Sequence, residues 1–211
     1  MLTKEQIVKW HTDYNNDPKN DNVRTKAILD KIDKTKTWKD FKELLTGTDG
    51  ILKWKGALRT KNYYKCLGET KWTDFLTLAK QSALNPKETV KKIVDFAKKN
   101  MWYEGKGGLR RGGISYPVAS TIVFFFSKQE CPIIDWRAVS TLKNNGYNNR
   151  LNNINLHHYK KKDIYQIKLE DDGWSDYYVL CHEIVSNLKI APEGNDTSIR
   201  VLDKALWYPA R

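Results

Sequence analysis

The sequence predicts an all-α fold of about nine helices. Three observations carry that reading. Apolar residues recur at helical spacing along most of the 211 residues. Polar capping residues stand where those stretches begin. No set of segments alternates apolar and polar residues strongly enough to build a sheet.

The elements follow in order. Thr3 opens a first helix with Ile7, Trp10 and Tyr14 near one face. Asn22 can cap a second, with Ala27, Ile28 and Ile32 inward. Thr37 can cap a third, which runs through Phe41 and Leu44-Leu45 to Gly47. From Thr48 to Thr70 the pattern is less regular. Asp49-Gly50, Trp54, Gly56 and Tyr63-Tyr64 read there as turns around a short helix. Thr70 starts another helix, with Phe75, Leu76 and Ala79. Asn85-Pro86 supplies a cap and a proline at the first helical position, ahead of Val90, Ile93, Val94 and Ala97. Asp135 heads a helix that reaches about Asn144. The Asn-rich stretch from Asn144 to Asn153 reads as a surface loop. Residues 157–169 are basic and partly β-branched and define no element. Trp174–Leu188 and Ser198–Trp207 are the last two helices.

Length allows one domain or two small ones, with enough chain for a real core. Hydrophobic residues make up 40% and aromatics 12%, which excludes general disorder. Lys and Arg exceed Asp and Glu by 37 to 25, a net charge of +12. That balance suits a polyanionic partner, although a solvated basic surface has the same composition. Cys66, Cys131 and Cys181 are far apart and form no CxxC pair, so neither zinc nor an iron–sulfur cluster is supported. Free thiols fit a reducing cytosol. Met1-Leu2-Thr3-Lys4-Glu5-Gln6 has no apolar signal region. The longest apolar run, Thr121 to Phe126, is too short to span a bilayer. The expectation is a soluble cytoplasmic protein without membrane contact, nucleoid-associated in a bacterium.

Two segments carry chemistry. The first runs from Gly108 to Ser120 and reads as a tight Gly-Gly hairpin that opens a helix. Free N–H groups and the dipole at such a helix start suit a phosphate oxygen. Gly112 and Gly113 permit close approach of the strand, and Arg110 and Arg111 add positive charge beside the turn. Pro117 near the helix start removes no needed hydrogen bond. Val118, Ala119, Ile122 and Val123 can then face the core. A Gly-Gly pair is equally at home in a plain helix connection. The second segment places Asp135 between Pro132-Ile133-Ile134 and a helix beginning Trp136-Arg137-Ala138. An N-cap is the ordinary role of such an aspartate. The same fixed carboxylate, set beside a sugar, can oppose positive charge developing at the anomeric carbon. It can also orient or deprotonate a water.

Taken together these segments resemble the helix-hairpin-helix DNA glycosylases, the superfamily of endonuclease III, the mismatch adenine glycosylase and the oxidised-guanine glycosylases. The resemblance covers residues 109–142. Alignment on Ala119 puts Gly113-Ile114-Ser115 on the family's G-V-G, and Pro132-Ile133-Ile134-Asp135 on its P-I-L-D, with Asp135 at the catalytic aspartate. Ser115 replaces the second hairpin glycine. Pro117 stands where lyase-active members carry lysine, which argues against a Schiff base at this position. The cysteine cluster of some members is absent.

The resemblance implies a two-lobed helical fold. Residues 36–134 would form a barrel-like lobe ending in the hairpin. Residues 1–35 with 135–211 would form the second lobe, and the active-site cleft would lie between them. It further implies a monomeric, monofunctional glycosylase that extrudes a modified or mismatched base from double-stranded DNA and hydrolyses its N-glycosidic bond. The setting would be base excision repair or defence against modified foreign DNA. Asp135 would be catalytic, and Arg110, Arg111, Gly112, Gly113 and Ser115 would hold the phosphate. Trp136, Tyr116 and Trp54 are the aromatic residues proposed for the base pocket, although core packing is the commoner job of each one alone. Lys55, Arg59 and Arg137 would line the DNA face. No cofactor is implied beyond a monovalent cation at the hairpin. His157-His158 and His182-Glu183 have no third ligand at useful spacing. Two other functions share these features: a catalytically silent helix-hairpin-helix DNA-binding protein, and a helical interaction module whose basicity is incidental.

Overall fold

A computed structural model describes residues 1–57, 61–105, 108–111, 114–159, 164–170 and 172–210. Most of the described residues are helical. Helix α1 (Lys4–Asn16) starts in a capping box, with Thr3 and Gln6 each accepting the other's backbone N–H. Helix α2 (Asn22–Ile32) is preceded by Asp21 at the cap position, so Asn22 is its first residue and not its cap. Helix α3 (Trp38–Thr46) has a second capping box, made by Thr37 and Asp40. Two short helices follow, α4 (Ile51–Trp54) and α5 (Lys61–Tyr64). Helix α6 (Glu69–Lys80) begins after Gly68, one residue before the expected Thr70. Helix α7 (Pro86–Asn100) has the expected start, with the Asn85 side chain accepting the Glu88 N–H.

The connection after α7 corrects the sequence reading. A tight turn was expected to lead directly from helix to helix. Instead, strands β1 (Trp102–Gly105) and β2 (Gly108–Arg111) form an antiparallel hairpin before helix α8 (Tyr116–Phe126). Gly108 at φ +94° supplies a backbone angle that an L side chain rarely takes. Gly112 and Gly113 lie outside the described residues.

Residues 21–131 form one unit and residues 1–20 with 132–211 the other. Helix α2 therefore groups with residues 36–131 and not with the chain termini. In the unit of residues 21–131, α8 is central: every residue from Val118 to Phe126 is buried. A helix that is apolar all round has no solvent face and must be covered on all sides. Helices α2, α4, α6 and α7 provide that cover. Phe41 sits edge-on to Trp72, Phe75 and Phe126 at 5.9, 5.0 and 5.6 Å between ring centroids. Such T-shaped pairs set positive ring edges against negative faces.

The other unit contains α1, α9 (Trp136–Leu142), β3 (Ile154–Tyr159), β4 (Ile164–Leu169), α10 (Gly173–Asn187) and α11 (Ser198–Trp207). Helix α11 packs on α1, α9 and α10. The expected loop after α9 is more ordered than its Asn-rich sequence suggests. A wide π-type turn at Lys143–Tyr147 and a 3-10 turn at Asn148–Arg150 lead to Leu151, which is fully buried. The segment that defined no element in sequence is a second antiparallel hairpin, in register from Ile154 opposite Leu169 to Tyr159 opposite Ile164. The absence of strands was thus a misreading, although the fold remains predominantly helical. Among the described residues no helix is long and apolar enough to cross a membrane.

Candidate active site around Asp135

The approach to Asp135 is built from buried apolar residues. Pro132 is buried, and Ile133 and Ile134 are 3% and 0% exposed. Burial leaves their backbone groups in need of partners. Tyr177 of α10 answers that need, donating its phenolic O–H to the Ile133 carbonyl at 3.0 Å. Burial pushes the Tyr177 phenol well above its ordinary range, and negative charge on Cys181, Asp203 and Asp135 would push it further. The phenol stays protonated, so the donor is present at any ordinary pH. Burial also pushes the neighbouring Cys181 thiol up.

Asp135 itself has extended backbone, at φ −137° and ψ 152°, as an N-cap requires. Its Oδ1 accepts the backbone N–H of Arg137 at 3.0 Å. That bond fixes the carboxylate at the head of α9, whose Ala138, Val139 and Leu142 are buried. The Asp135 side chain is 13% exposed. Arg137 places Nη1 at 3.7 Å from Oδ1, beyond good hydrogen-bond length but close enough for an ion pair. The guanidinium carbon lies 4.5 Å from the ring centroid of Trp136 and 4.5 Å from that of Trp207. Each contact is a cation–π interaction. Arg137 thus meets two indoles, one from its own helix and one from the end of α11.

Asp135, Trp136 and Arg137 form one cluster, and the structure adds Tyr177 and Trp207 to it. Neither was legible as a site residue. Trp207 is 70 positions from Arg137 and ends an ordinary amphipathic helix, and Tyr177 sits among other aromatics in α10. Only packing shows what they touch.

The remaining predicted residues belong to the unit of residues 21–131. Ser115 is exposed at the cap position of α8, and its carbonyl accepts the N–H groups of Val118 and Ala119 at 3.0 and 2.8 Å. Its φ is −87°, so serine fits without the left-handed angle that would call for glycine. Tyr116 is half-buried as the first residue of α8. The backbones of Arg110 and Arg111 pair with Tyr103 and Trp102, and their side chains lie outside the described set. Arg59 falls outside it as well, with Gly112 and Gly113. Lys55 is half-buried at the end of α4. Trp54 stacks on Phe124 at 6.1 Å, meets Phe125 edge-on at 5.2 Å, and donates Nε1–H to Thr25 Oγ1 at 3.0 Å. The ring also walls a cleft of about 180 Å³ with Val23, Arg24, Lys31 and Lys53.

A second polar cluster was missed entirely. His11 is 0% exposed, with Nε2 at 2.9 Å from Asp196 Oδ2 and Nδ1 at 3.0 Å from Glu193 Oε2. Lys204 of α11 pairs with the same Asp196 oxygen and donates to Asn15 Oδ1 at 3.1 Å. Burial would raise the Asp196 carboxyl, but hydrogen bonds from His11 and Lys204, with the charges of Lys204 and Arg200, hold it below the ordinary range. These groups join α1 to α11 and have a structural role. Among the described residues no group of three or more His, Cys, Asp or Glu is placed to hold a metal ion. Comparison with protein-family models, characterised proteins and solved structures finds no match.

Proposed function

We propose that the protein is a monofunctional DNA glycosylase with Asp135 as its catalytic carboxylate. The observation that carries this reading is the setting of Asp135. One oxygen is fixed by the first turn of α9, the lead-in is anchored by Tyr177, and the side chain is not sealed, at 13% exposed. A carboxylate so fixed can face a deoxyribose without reorganising as charge develops. The N-glycosidic bond breaks toward an oxocarbenium-like sugar, and the carboxylate stabilises that cation and orients the attacking water. The net charge of +12 supports a DNA partner, and the sequence match of residues 113–115 and 132–135 supports the superfamily, with a β-hairpin standing where the first helix of its motif would end. A Schiff-base route is disfavoured by Pro117.

The test uses duplexes carrying a panel of alkylated, oxidised, mismatched and phage-type modified bases. Abasic sites are read by alkali cleavage and free base by mass spectrometry. The native protein is expected to release one class of base. Asp135→Asn is expected to lower the rate by about 10²–10⁴-fold while duplex binding persists. Unchanged release in that variant would refute the role of Asp135. A panel without any release would favour a silent DNA-binding protein.

A further inference from the structure

The hairpin of β1 and β2 is two-faced. Trp102 pairs with Arg111, and Glu104 with Leu109. Direct partners and alternate residues of a strand share a face. Trp102 and Leu109 therefore stand on one face as diagonal neighbours, and Tyr103 stands on the other. There the Tyr103 ring meets Tyr63 of α5 edge-on, at 5.8 Å between centroids. Cys66 fastens the root of β1, its Sγ accepting the Trp102 N–H at 3.3 Å while the thiol donates to the Tyr63 carbonyl at 3.0 Å. The ribbon is thus held from one side.

The other side is apolar and exposed. Trp102 is 43% exposed and Leu109 56%. Tryptophan is highly buried on average. Among the residues with described side chains, Trp102 is the one Trp, Tyr or Phe that is exposed, and its indole meets no other ring among them. Trp102 also lines a cleft of about 310 Å³ with Asn62, Lys65, Cys66, Tyr103 and Glu104. Asn62, Lys65 and Glu104 are exposed.

These groups match the parts of a nucleotide. An indole offers a face on which any base can stack. The Asn62 amide can pair with a base edge, Glu104 can accept from a base amino group, and the Lys65 ammonium can meet a phosphate. The surrounding sequence is basic, with Lys98, Lys99, Lys106, Arg110 and Arg111 against Glu104 alone between positions 98 and 111. That balance favours a polyanion over a second copy of this basic chain. We propose that this face and its cleft bind unpaired DNA bases, one stacked on Trp102 with Leu109 against the next. The site takes its DNA partner from the glycosylase reading, in which extrusion leaves the opposite base unpaired, and uses no feature of Asp135.

Fluorescence anisotropy with the full-length protein compares a single strand, an intact duplex and the same duplex with a short unpaired bulge. The native protein is expected to bind the two DNAs with unpaired bases more tightly than the intact duplex. Trp102→Ala should weaken binding to them by about tenfold and change intact-duplex binding by less than about twofold, and Trp102→Phe should recover most of the loss. Lys65→Gln should reduce the salt slope by about one. Equal affinity of the native protein and Trp102→Ala for unpaired bases overturns the proposal. If that variant does not fold, the native protein decides: the fluorescence of 2-aminopurine in the single strand should fall on binding, and undiminished fluorescence overturns the proposal. A native dimer that Trp102→Ala makes monomeric assigns the face to a second copy and overturns it too. The expected binding pattern in a protein that releases no base supports the site and sinks the glycosylase reading alone. Base release with that pattern absent does the reverse.

Discussion

Tyr177 shows how much can rest on one hydroxyl. It holds the Ile133 carbonyl two residues before Asp135, where Tyr177 and Ile133 are both buried. Tyr177→Phe should leave that carbonyl unsatisfied and destabilise the fold by about 1–3 kcal/mol, measured by urea unfolding. On the glycosylase proposal, base release should fall as well, because the lead-in to Asp135 loses its anchor. The same phenol, with the Cys181 thiol, makes stability depend on alkaline pH. In the unfolded chain Cys181 and Tyr177 lose protons near 9.0 and 10.0, whereas in the fold both are raised. The unfolded state therefore releases protons first. Stability from these groups is complete below about pH 9 and is lost as pH rises beyond it. Unfolding midpoints taken from pH 7 to 11 should fall on the alkaline side, and less steeply in Tyr177→Phe. At this scale the helix-capping place of Asp135 was legible from its Pro-Ile-Ile lead-in and its position before a helix. Tyr177 and Trp207 were not, because a side chain's partner across the fold leaves no trace in local spacing.

At the scale of elements, capping chemistry was the most readable signal. Thr3, Thr37 and Asn85 each accept a backbone N–H at a helix start, as expected. The two β-hairpins were not readable. Strands β1 and β2 have four residues each, too few to display alternation. Strands β3 and β4 are six residues each, and beyond Ile154 their described side chains are only half-buried or exposed, so no apolar face marks them. A two-stranded hairpin is marginal alone and needs anchors. Lys143 supplies one, donating Nζ–H to the Ile154 carbonyl at 2.6 Å, and its ammonium is pushed down by burial. Gly173, at the start of α10, supplies another by close approach: a Cβ there would lie 2.6 Å from the Asn153 carbonyl oxygen. Gly173→Ala must therefore push α10 away from the root of β3. The expected result is destabilisation by about 1–3 kcal/mol, despite the helix-favouring nature of alanine, with faster amide exchange in β3.

For the whole molecule, the excess of basic residues makes a quantitative demand on DNA binding. Counterion release requires affinity to fall with salt according to the number of phosphates engaged. With 6–10 contacts, affinity for an unmodified duplex should drop by roughly 10³–10⁵ between 50 and 200 mM salt. Fluorescence anisotropy across that range checks it, and a flat response would mean that the charge of +12 does not meet DNA phosphates. Composition made the charge legible, but not how the chain divides: residues 21–131 are continuous, whereas the other unit draws on both ends of the sequence. The pairing of α1 with α11 through His11, Asp196 and Lys204 has a consequence for biosynthesis. Helix α1 finds its partner only after almost two hundred further residues have been translated. Until then its buried histidine has no carboxylate to meet, and a nascent chain stalled before Asp196 should expose α1 to protease while the contiguous unit already resists it.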